Sequence, residues 1–176
     1  MIEIEASNVK FDKAEFSDFE NKLGTNLPVD YVSFLKEKNG GTPEPNILEL
    51  STGEINSISI TDFFGVKLEE INDLNSQYNI YKGRIPRNNI PICRVEGGNI
   101  VCLNVEDKTI SFWDHDIELI KEELKPRNPL IYIAESFNDF LESIKPYNIE
   151  DEMDDYKVKN VWIDPEFLKE IKSDSN

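Results

Sequence analysis

The residues of this chain best suited to chemistry are a histidine and the acids beside it. His115 is the only histidine, and it stands between Asp114 and Asp116 in the segment FWDHDIE. Such a histidine can act as a general base with a raised pKa, or as one ligand of a metal ion. Adjacent residues of a strand point to opposite faces, so Asp114 and Asp116 would not both share its side. The pattern therefore favours a turn residue after a strand, and we predict no metal and no cofactor.

A second candidate for chemistry is the cysteine pair, Cys93 and Cys102, which flanks the segment RVEGGNIV. Two cysteines at this separation are too few for a zinc site of four Cys or His ligands. A two-residue turn at Gly97-Gly98 would place the two thiols opposite each other, where a disulfide is geometrically possible. In a reducing cytoplasm we expect two buried thiols. Burial raises a thiol pKa, which disfavours a nucleophilic pair of cysteine and His115.

Sequence motifs of other enzyme classes are missing from the chain. It contains no phosphate-binding loop, dinucleotide-binding glycine motif, zinc-protease motif or nucleophile elbow. Gly97-Gly98 lead from one predicted strand to another, so no helix N-terminus would point at a phosphate there. Paired carboxylates are plentiful, but in so acidic a chain they occur at any spacing.

The charge balance limits the partners of the protein. Thirty-five acids oppose nineteen lysines and arginines, which gives a formal net charge of −16. This charge repels nucleic-acid phosphates and anionic lipids, and it attracts cationic partners. The segment 74–95 carries four bases and no acid, but four dispersed charges would hold nucleic acid poorly. We therefore expect no nucleic-acid or membrane partner.

The location of the protein is predicted from its hydropathy pattern. No apolar run approaches the roughly 20 residues that a membrane-spanning helix needs. The first residues, MIEIEASNVK, lack a basic region followed by an apolar stretch, so we expect no signal peptide and a cytoplasmic protein.

The first elements that would position these residues are two helices. Phe16, Phe19 and Leu23 form one apolar stripe, and the helix that carries them should end at Gly24. The segment LPVDYVSFLKEKNGG predicts a second helix, with its proline in the first turn and Asn-Gly-Gly as its stop. Residues 1–10 show no element in this interpretation and serve as a lead-in.

Strands dominate the middle of the chain. The segments NILEL and INSISITDFF alternate with the period of a strand, and KLEEINDLNSQY returns to the period of a helix. IPICRV, NIVCLNVE and TISFWDHD then predict a three-stranded antiparallel meander, and SFNDFLESI predicts a closing helix. This order indicates an α+β fold with a central antiparallel sheet and flanking helices, in a single domain over residues 1–146.

The remaining residues, 147–176, are interpreted as an acidic linker and a C-terminal helical tail. EDEMDD carries five acids in six residues and is typical of a solvated linker. In VKNVWIDPEFLKEIK, Asp164 suits an N-cap and Pro165 the first helical residue. The apolar residues of this segment must dock on their own domain or on a partner, and we favour their own domain.

The second helix also carries a resemblance. Its pattern resembles the LP-x-x-Y-x-x-F-L-x-x-x-N-G-G signature of the SUKH superfamily, which includes yeast cell-wall-assembly regulators of the Smi/Knr type and many bacterial immunity proteins. The matching residues are Leu27, Pro28, Tyr31, Phe34, Leu35, Asn39, Gly40 and Gly41. Further segments resemble the family in order and spacing between Phe11 and Ile144: DFFGV, IPIC, GGNIVCLNV, ISFWDHD and SFNDFLESI.

The resemblance implies an α+β fold and a protein that is not an enzyme. It implies a bacterial immunity protein that neutralises a cognate toxin domain, often a nuclease, and an acidic chain would suit a basic nuclease-like toxin. The alternative is an intracellular scaffold or regulator of the Smi/Knr type, and a hydrolase built on His115 is a third hypothesis. Acids at strand ends and their aromatic neighbours are the predicted partner-binding residues: Asp62, Phe64, Trp113, Asp114, Asp116 and Glu118. Because Phe112 and Trp113 are adjacent in a strand and point to opposite faces, one of them is predicted to be a core residue. Alternative acids for the partner contact are Glu44, Glu150, Asp151 and Asp154.

Overall fold

The helices and strands of the protein are known from a computed structural model that describes residues 2–50, 57–116 and 129–146. Within these ranges the helices are α1 (Lys13–Leu23), α2 (Val29–Glu37), α3 (Leu74–Tyr81) and α4 (Phe137–Ser143). The strands are β1 (Glu3–Ala6), β2 (Gly41–Glu44), β3 (Ile47–Glu49), β4 (Ser57–Phe63), β5 (Asn89–Val95), β6 (Ile100–Asn104), β7 (Ile110–Trp113), β8 (Leu130–Ala134) and β9 (Ile144–Lys145).

The strands form one antiparallel sheet in the order β1-β2-β4-β5-β6-β7-β8. Strands β2 and β3 both pair with β4, through Gly41 opposite Phe63 and Ile47 opposite Ser59, so they act as two halves of one bent strand. The outer side of that bent strand pairs with β1 along β2 and with β9 along β3. The predicted α+β fold with a central antiparallel sheet and flanking helices is confirmed.

Helices α1, α2 and α4 supply the cover for one face of the sheet. Phe34 of α2, Phe63 of β4 and Phe137 of α4 lie at the centre of this core, with ring centroids 5.1 to 6.2 Å apart. Aromatic pairs at such distances stabilise a core beyond the area that they bury. A smaller cluster lies on the opposite face and contains Ile85, Ile100, Cys102 and Trp113. The sheet is therefore covered on both faces at β6 and β7.

Two parts of the sequence fold differently from the prediction. The lead-in of residues 1–10 contains β1, whose alternation of Ile2 and Ile4 with acids is a strand pattern. Helix α3 begins at Leu74 and not at residue 67, because the side chain of Asp73 accepts a hydrogen bond from the backbone N–H of Ser76 and caps the helix there.

The hairpin between β5 and β6 has a register that differs from the prediction by one residue. Its turn contains three residues, Glu96–Gly98, and the N–H of Val95 donates to the carbonyl of Asn99. Cys93 therefore lies opposite Val101, while Cys102 lies opposite Pro91. One residue of offset moves a side chain to the other face, so the expected pairing of the thiols is wrong. Both cysteines are free and buried, and burial raises the pKa of each thiol.

The Asn-Gly-Gly segment after α2 is held inside the fold. Asn39 has a φ of 51° and is 2% exposed, and its side-chain amide donates to the carbonyls of Val9 and Val66. Its Oδ1 accepts the backbone N–H of Val66 at 2.8 Å. A Cβ at Gly41 would lie 2.1 Å from the carbonyl oxygen of Glu5 in β1. The segment therefore joins three parts of the chain at close contact.

Replacing Gly41 by alanine should destabilise the fold more than the same change at Gly24. Both glycines have positive φ, 123° and 73°, but nothing lies within 4 Å of a Cβ at Gly24. The difference between Gly41→Ala and Gly24→Ala reports the collision with β1 together with the greater strain of alanine at a φ of 123°, and we expect at least about 2 kcal/mol in the free energy of unfolding by denaturant. Equal losses in the two variants would contradict the close packing of β1 on β2.

Neither thiol should react with 5,5′-dithiobis(2-nitrobenzoate) while the protein is folded. Both are fully buried and their raised pKa leaves little thiolate at neutral pH. In denaturant the same assay should release two equivalents of chromophore. A thiol that reacts within seconds in the folded protein would contradict the placement of Cys93 and Cys102 on the two covered faces.

Candidate partner-binding surface

Two of the predicted partner-binding residues, Asp114 and Asp116, flank His115 where β7 ends. We call this surface, with the hairpin turn beside it, the acidic corner (Glu96, Asn99, Asp114, His115 and Asp116). After Trp113 the chain leaves the strand, and the Asp114 carboxylate accepts the backbone N–H of Asp116 at 2.9 Å. The turn of the β5–β6 hairpin lies against the imidazole, since a Cβ at Gly98 would be 3.8 Å from Cε1 of His115. Glu96 and Asp116 are exposed. The corner therefore presents carboxylates on a fixed backbone.

The imidazole of His115 is oriented by Asn99. Asn99 Oδ1 lies 2.6 Å from Nδ1 and also accepts the backbone N–H of His115 at 3.1 Å. Because that oxygen only accepts, Nδ1 carries the hydrogen in this arrangement. The other ring nitrogen, Nε2, lies 3.2 Å from Asp116 Oδ1 and forms an ion pair with it when protonated.

The strand-alternation argument against a shared site at Asp114, His115 and Asp116 does not hold. The chain has left the strand at these residues, and one ligand atom from each lies within 4.8 Å of the others. The three side chains could hold a cation with one atom apiece. Exposed acidic groups commonly converge in this way without a metal, and we assign none to the corner. A nucleophilic partner for His115 is not supported either, since both thiols are buried.

Asp62, a third predicted partner-binding residue, lies on a different part of the sheet from the acidic corner. Its carboxylate is 3.6 Å from the guanidinium of Arg94 and accepts a hydrogen bond from the Thr42 hydroxyl at 3.2 Å. The arginine also donates to Asn72 and to the carbonyl of Ile71. A neighbouring cation thus offsets the charge of Asp62, which makes it a weak contact for a cationic partner.

The two predicted aromatic contacts, Phe64 and Trp113, are completely buried. The Arg94 guanidinium covers the ring of Phe64 at 5.7 Å, and Tyr81 packs against Trp113 at 5.6 Å. A ring without exposed surface cannot contact a docking partner, so both belong to the core. Phe112 is buried as well. Both faces of the sheet are covered here, so side chains that point to either face lie in the core.

The last predicted contact, Glu118, and the tail acids Glu150, Asp151 and Asp154 lie outside the described residues. The same holds for the predicted N-cap Asp164 and the helical residues that follow it.

A second acidic surface was missed because β1 was interpreted as a lead-in. We call it the acidic strand face, and it consists of Glu3, Glu5 and Glu44. Glu3 lies directly opposite Glu44, and Glu5 opposite Thr42, so these side chains share one face of the sheet. The three glutamates form no ion pair with any residue in the part of the chain that the structure describes. The alternation IEIE in the sequence was the signal that could have found it.

The comparison with known families agrees with this architecture. A family model described as SMI1 / KNR4 family (SUKH-1) matches residues 10–143. The chain belongs to this family. Proteins of the SMI1 / KNR4 family are generally non-enzymatic immunity or regulatory proteins.

A curated relative extends the similarity. The chain is 27% identical over 173 residues to the SPbeta prophage-derived uncharacterized protein YokK of Bacillus subtilis (strain 168), and the matched region covers 88% of this chain and 85% of that protein.

Among the described helices none is long and apolar enough to cross a membrane.

Proposed function

We propose that this protein is a cytoplasmic immunity protein that binds and neutralises the toxin domain of a polymorphic or contact-dependent toxin system. Membership of the SMI1 / KNR4 family carries this proposal. The net charge of −16 favours a positively charged partner, and we infer that the toxin is a basic nuclease-like domain. A prophage-derived relative is compatible with an exchangeable toxin and immunity pair.

Inhibition works by occlusion and requires no reaction of the immunity protein. A nuclease that binds a polyanion carries basic residues around its cleft. Opposite charge accelerates the encounter of the two proteins, and the bound immunity protein then excludes the nucleic acid from the same cleft. The charge that attracts the toxin also keeps the immunity protein itself away from nucleic acid.

The acidic corner is the surface that we assign to the first contact with the toxin. Its carboxylates at Glu96 and Asp116 are exposed, whereas the charge of Asp62 is offset by Arg94. Glu118 follows two residues after Asp116 in the chain and stays in the proposed contact. The buried rings of Phe64 and Trp113 contribute by holding β4 and β7 in place.

Reversing two charges of the acidic corner should slow toxin binding. In Glu96→Lys/Asp116→Lys the association rate constant at low salt should fall about tenfold, because steering is lost, while the wild-type rate should itself fall as salt rises. Asp114 is left unchanged because its carboxylate caps the following turn. The toxin domain used is one encoded beside the gene of this protein and purified after co-expression with it. The rates are measured by stopped-flow fluorescence, with growth rescue of toxin-expressing cells as the biological readout, and the absence of any such neighbouring gene would count against the proposal.

Two further variants make this experiment decisive. Glu106→Lys/Glu142→Lys changes the net charge equally at exposed positions away from the corner, and it should slow binding much less. His115→Ala should retain growth rescue, because neutralisation needs no catalysis. A salt-independent rate, or an equal loss in both charge variants, would remove the corner from the proposal. Loss of rescue in a folded His115→Ala protein would contradict the non-enzymatic role.

A further inference from the structure

The outer edge of β1 has no neighbouring strand in the part of the chain that the structure describes. Strand β1 pairs with β2 alone, from Glu3 opposite Glu44 to Ala6 opposite Gly41. An edge of this kind leaves backbone N–H and C=O groups free to pair, and it is a template for an added strand. Successive side chains of that strand would point alternately to the two faces of the sheet.

On one side of the sheet, the added strand would meet the acidic strand face. The three glutamates of this face are exposed, and Glu3 lies directly opposite Glu44, where like charges destabilise a sheet. Glu5 lies on the same side, two residues further along β1. No cation among the described residues forms an ion pair with them. Lysine or arginine side chains placed over this face would therefore relieve a repulsion that the described part of the chain leaves in place.

On the other side of the sheet, the added strand would meet an apolar groove. The groove has a volume of about 1080 Å³ and lies between β1 and helices α2 and α4. Ile2, Ile4 and Leu141 are half-buried in its lining, and Val29 at the start of α2 is 82% exposed. Removing such apolar surface from water is favourable, so the groove suits apolar side chains.

The charges at this edge select the occupant. A second copy of the chain would bring its own Glu3 and Glu5 if it paired through β1, and its strand β8, LIYIA, carries no cation. Each copy also has a net charge of −16, which opposes self-association. An extended segment with lysine or arginine at every second position and apolar residues between them matches both faces at once.

We propose that the outer edge of β1 binds an extended segment of a partner protein by strand addition, with alternate lysines or arginines on the acidic strand face and the intervening apolar side chains in the groove. Backbone hydrogen bonds to β1 give the affinity, and the two faces give the sequence preference. The inference goes beyond the proposed function, because it holds for any partner protein that carries such a segment, whether or not that protein is a toxin.

A labelled octapeptide of sequence KVKVKVKV tests the proposal on the full chain. Binding is measured by fluorescence anisotropy at 150 mM salt, where distant charges are screened, and we expect saturable binding of one peptide per chain. The peptide KKKKVVVV, which has the same composition without the alternation, should bind at least fivefold more weakly. With KVKVKVKV bound, the backbone N–H groups of β1 that point away from β2 should exchange with solvent at least tenfold more slowly.

Charge variants of the protein test the acidic strand face. Glu3→Lys/Glu5→Lys should weaken the binding of KVKVKVKV at least fivefold and should strengthen the binding of EVEVEVEV. Glu106→Lys/Glu135→Lys makes the same change of net charge at exposed residues that do not line the groove, and it should weaken binding much less.

A second pair of variants tests the groove. Val29→Lys places a cation in the groove and should weaken the binding of KVKVKVKV at least threefold. Ile80→Lys makes a matched change from an apolar residue to lysine in α3, at a position 48% exposed, and it should leave binding nearly unchanged.

The peptides take the place of the toxin in every measurement, so failure of the toxin assignment leaves these results unaffected. Equal affinity of the alternating and scrambled peptides, or equal losses in the two charge variants, would overturn the proposal. Absence of binding would also overturn it, and β1 amides already slow to exchange in the free protein would then assign the edge to another part of this chain. Binding that strengthens on dilution of the protein would assign the edge to a second copy, with the same consequence.

Discussion

A single buried amide determines how the first half of the chain closes on the sheet. The side chain of Asn39 makes three hydrogen bonds, two to carbonyls and one from an N–H, at a residue that is 2% exposed. Its positive φ ends α2, and a Cβ on the next residue, Gly40, would lie 2.8 Å from the carbonyl oxygen of Phe63. Gly41 then begins β2 so close to β1 that only glycine fits. Leaving such buried groups without partners costs about 1 to 3 kcal/mol each, so a side chain that cannot make these hydrogen bonds should destabilise the fold.

Of the two acidic surfaces, the acidic strand face depends on this junction and the acidic corner does not. The junction fixes β1 against β2, which creates the acidic strand face, and it holds Val66 in the segment that follows β4. The acidic corner is built independently, by the three-residue turn of the β5–β6 hairpin and by Asn99 against His115. Because the backbone that carries these carboxylates is held in place, binding of a cationic partner does not have to pay the entropy cost of ordering it.

Local signals in the sequence predicted local structure well. Gly24 ends α1 in the left-handed conformation, as predicted. Pro28 marks the start of α2, although it is the N-cap and lies one residue before the first turn, where it was predicted. The fold class followed from the order of these elements. The register of the β5–β6 hairpin could not be predicted in the same way, because it depends on whether the turn contains two residues or three. The three-residue turn places Cys102 on the opposite face from the one predicted.

Long-range packing explains why most of the candidate site escaped prediction. Burial of Phe64 and Trp113 depends on cover over both faces of the sheet, and neutralisation of Asp62 depends on Arg94, thirty-two residues away. The convergence at Asp114, His115 and Asp116 required the strand to end at Trp113, before the three residues to which the alternation argument was applied. Asp114 and Asp116 were predicted from their place at the end of a strand, and the acidic strand face could have been predicted from the alternation at the start of the chain.

Denaturant unfolding of Asn39→Gly tests the central claim most directly. Glycine accepts the positive φ of this position, so the variant removes the amide and keeps the backbone conformation. If the amide closes the fold, the free energy of unfolding should fall by about 3 kcal/mol or more. A loss of no more than about 1 kcal/mol, which the greater freedom of glycine in the unfolded chain produces by itself, would contradict the account.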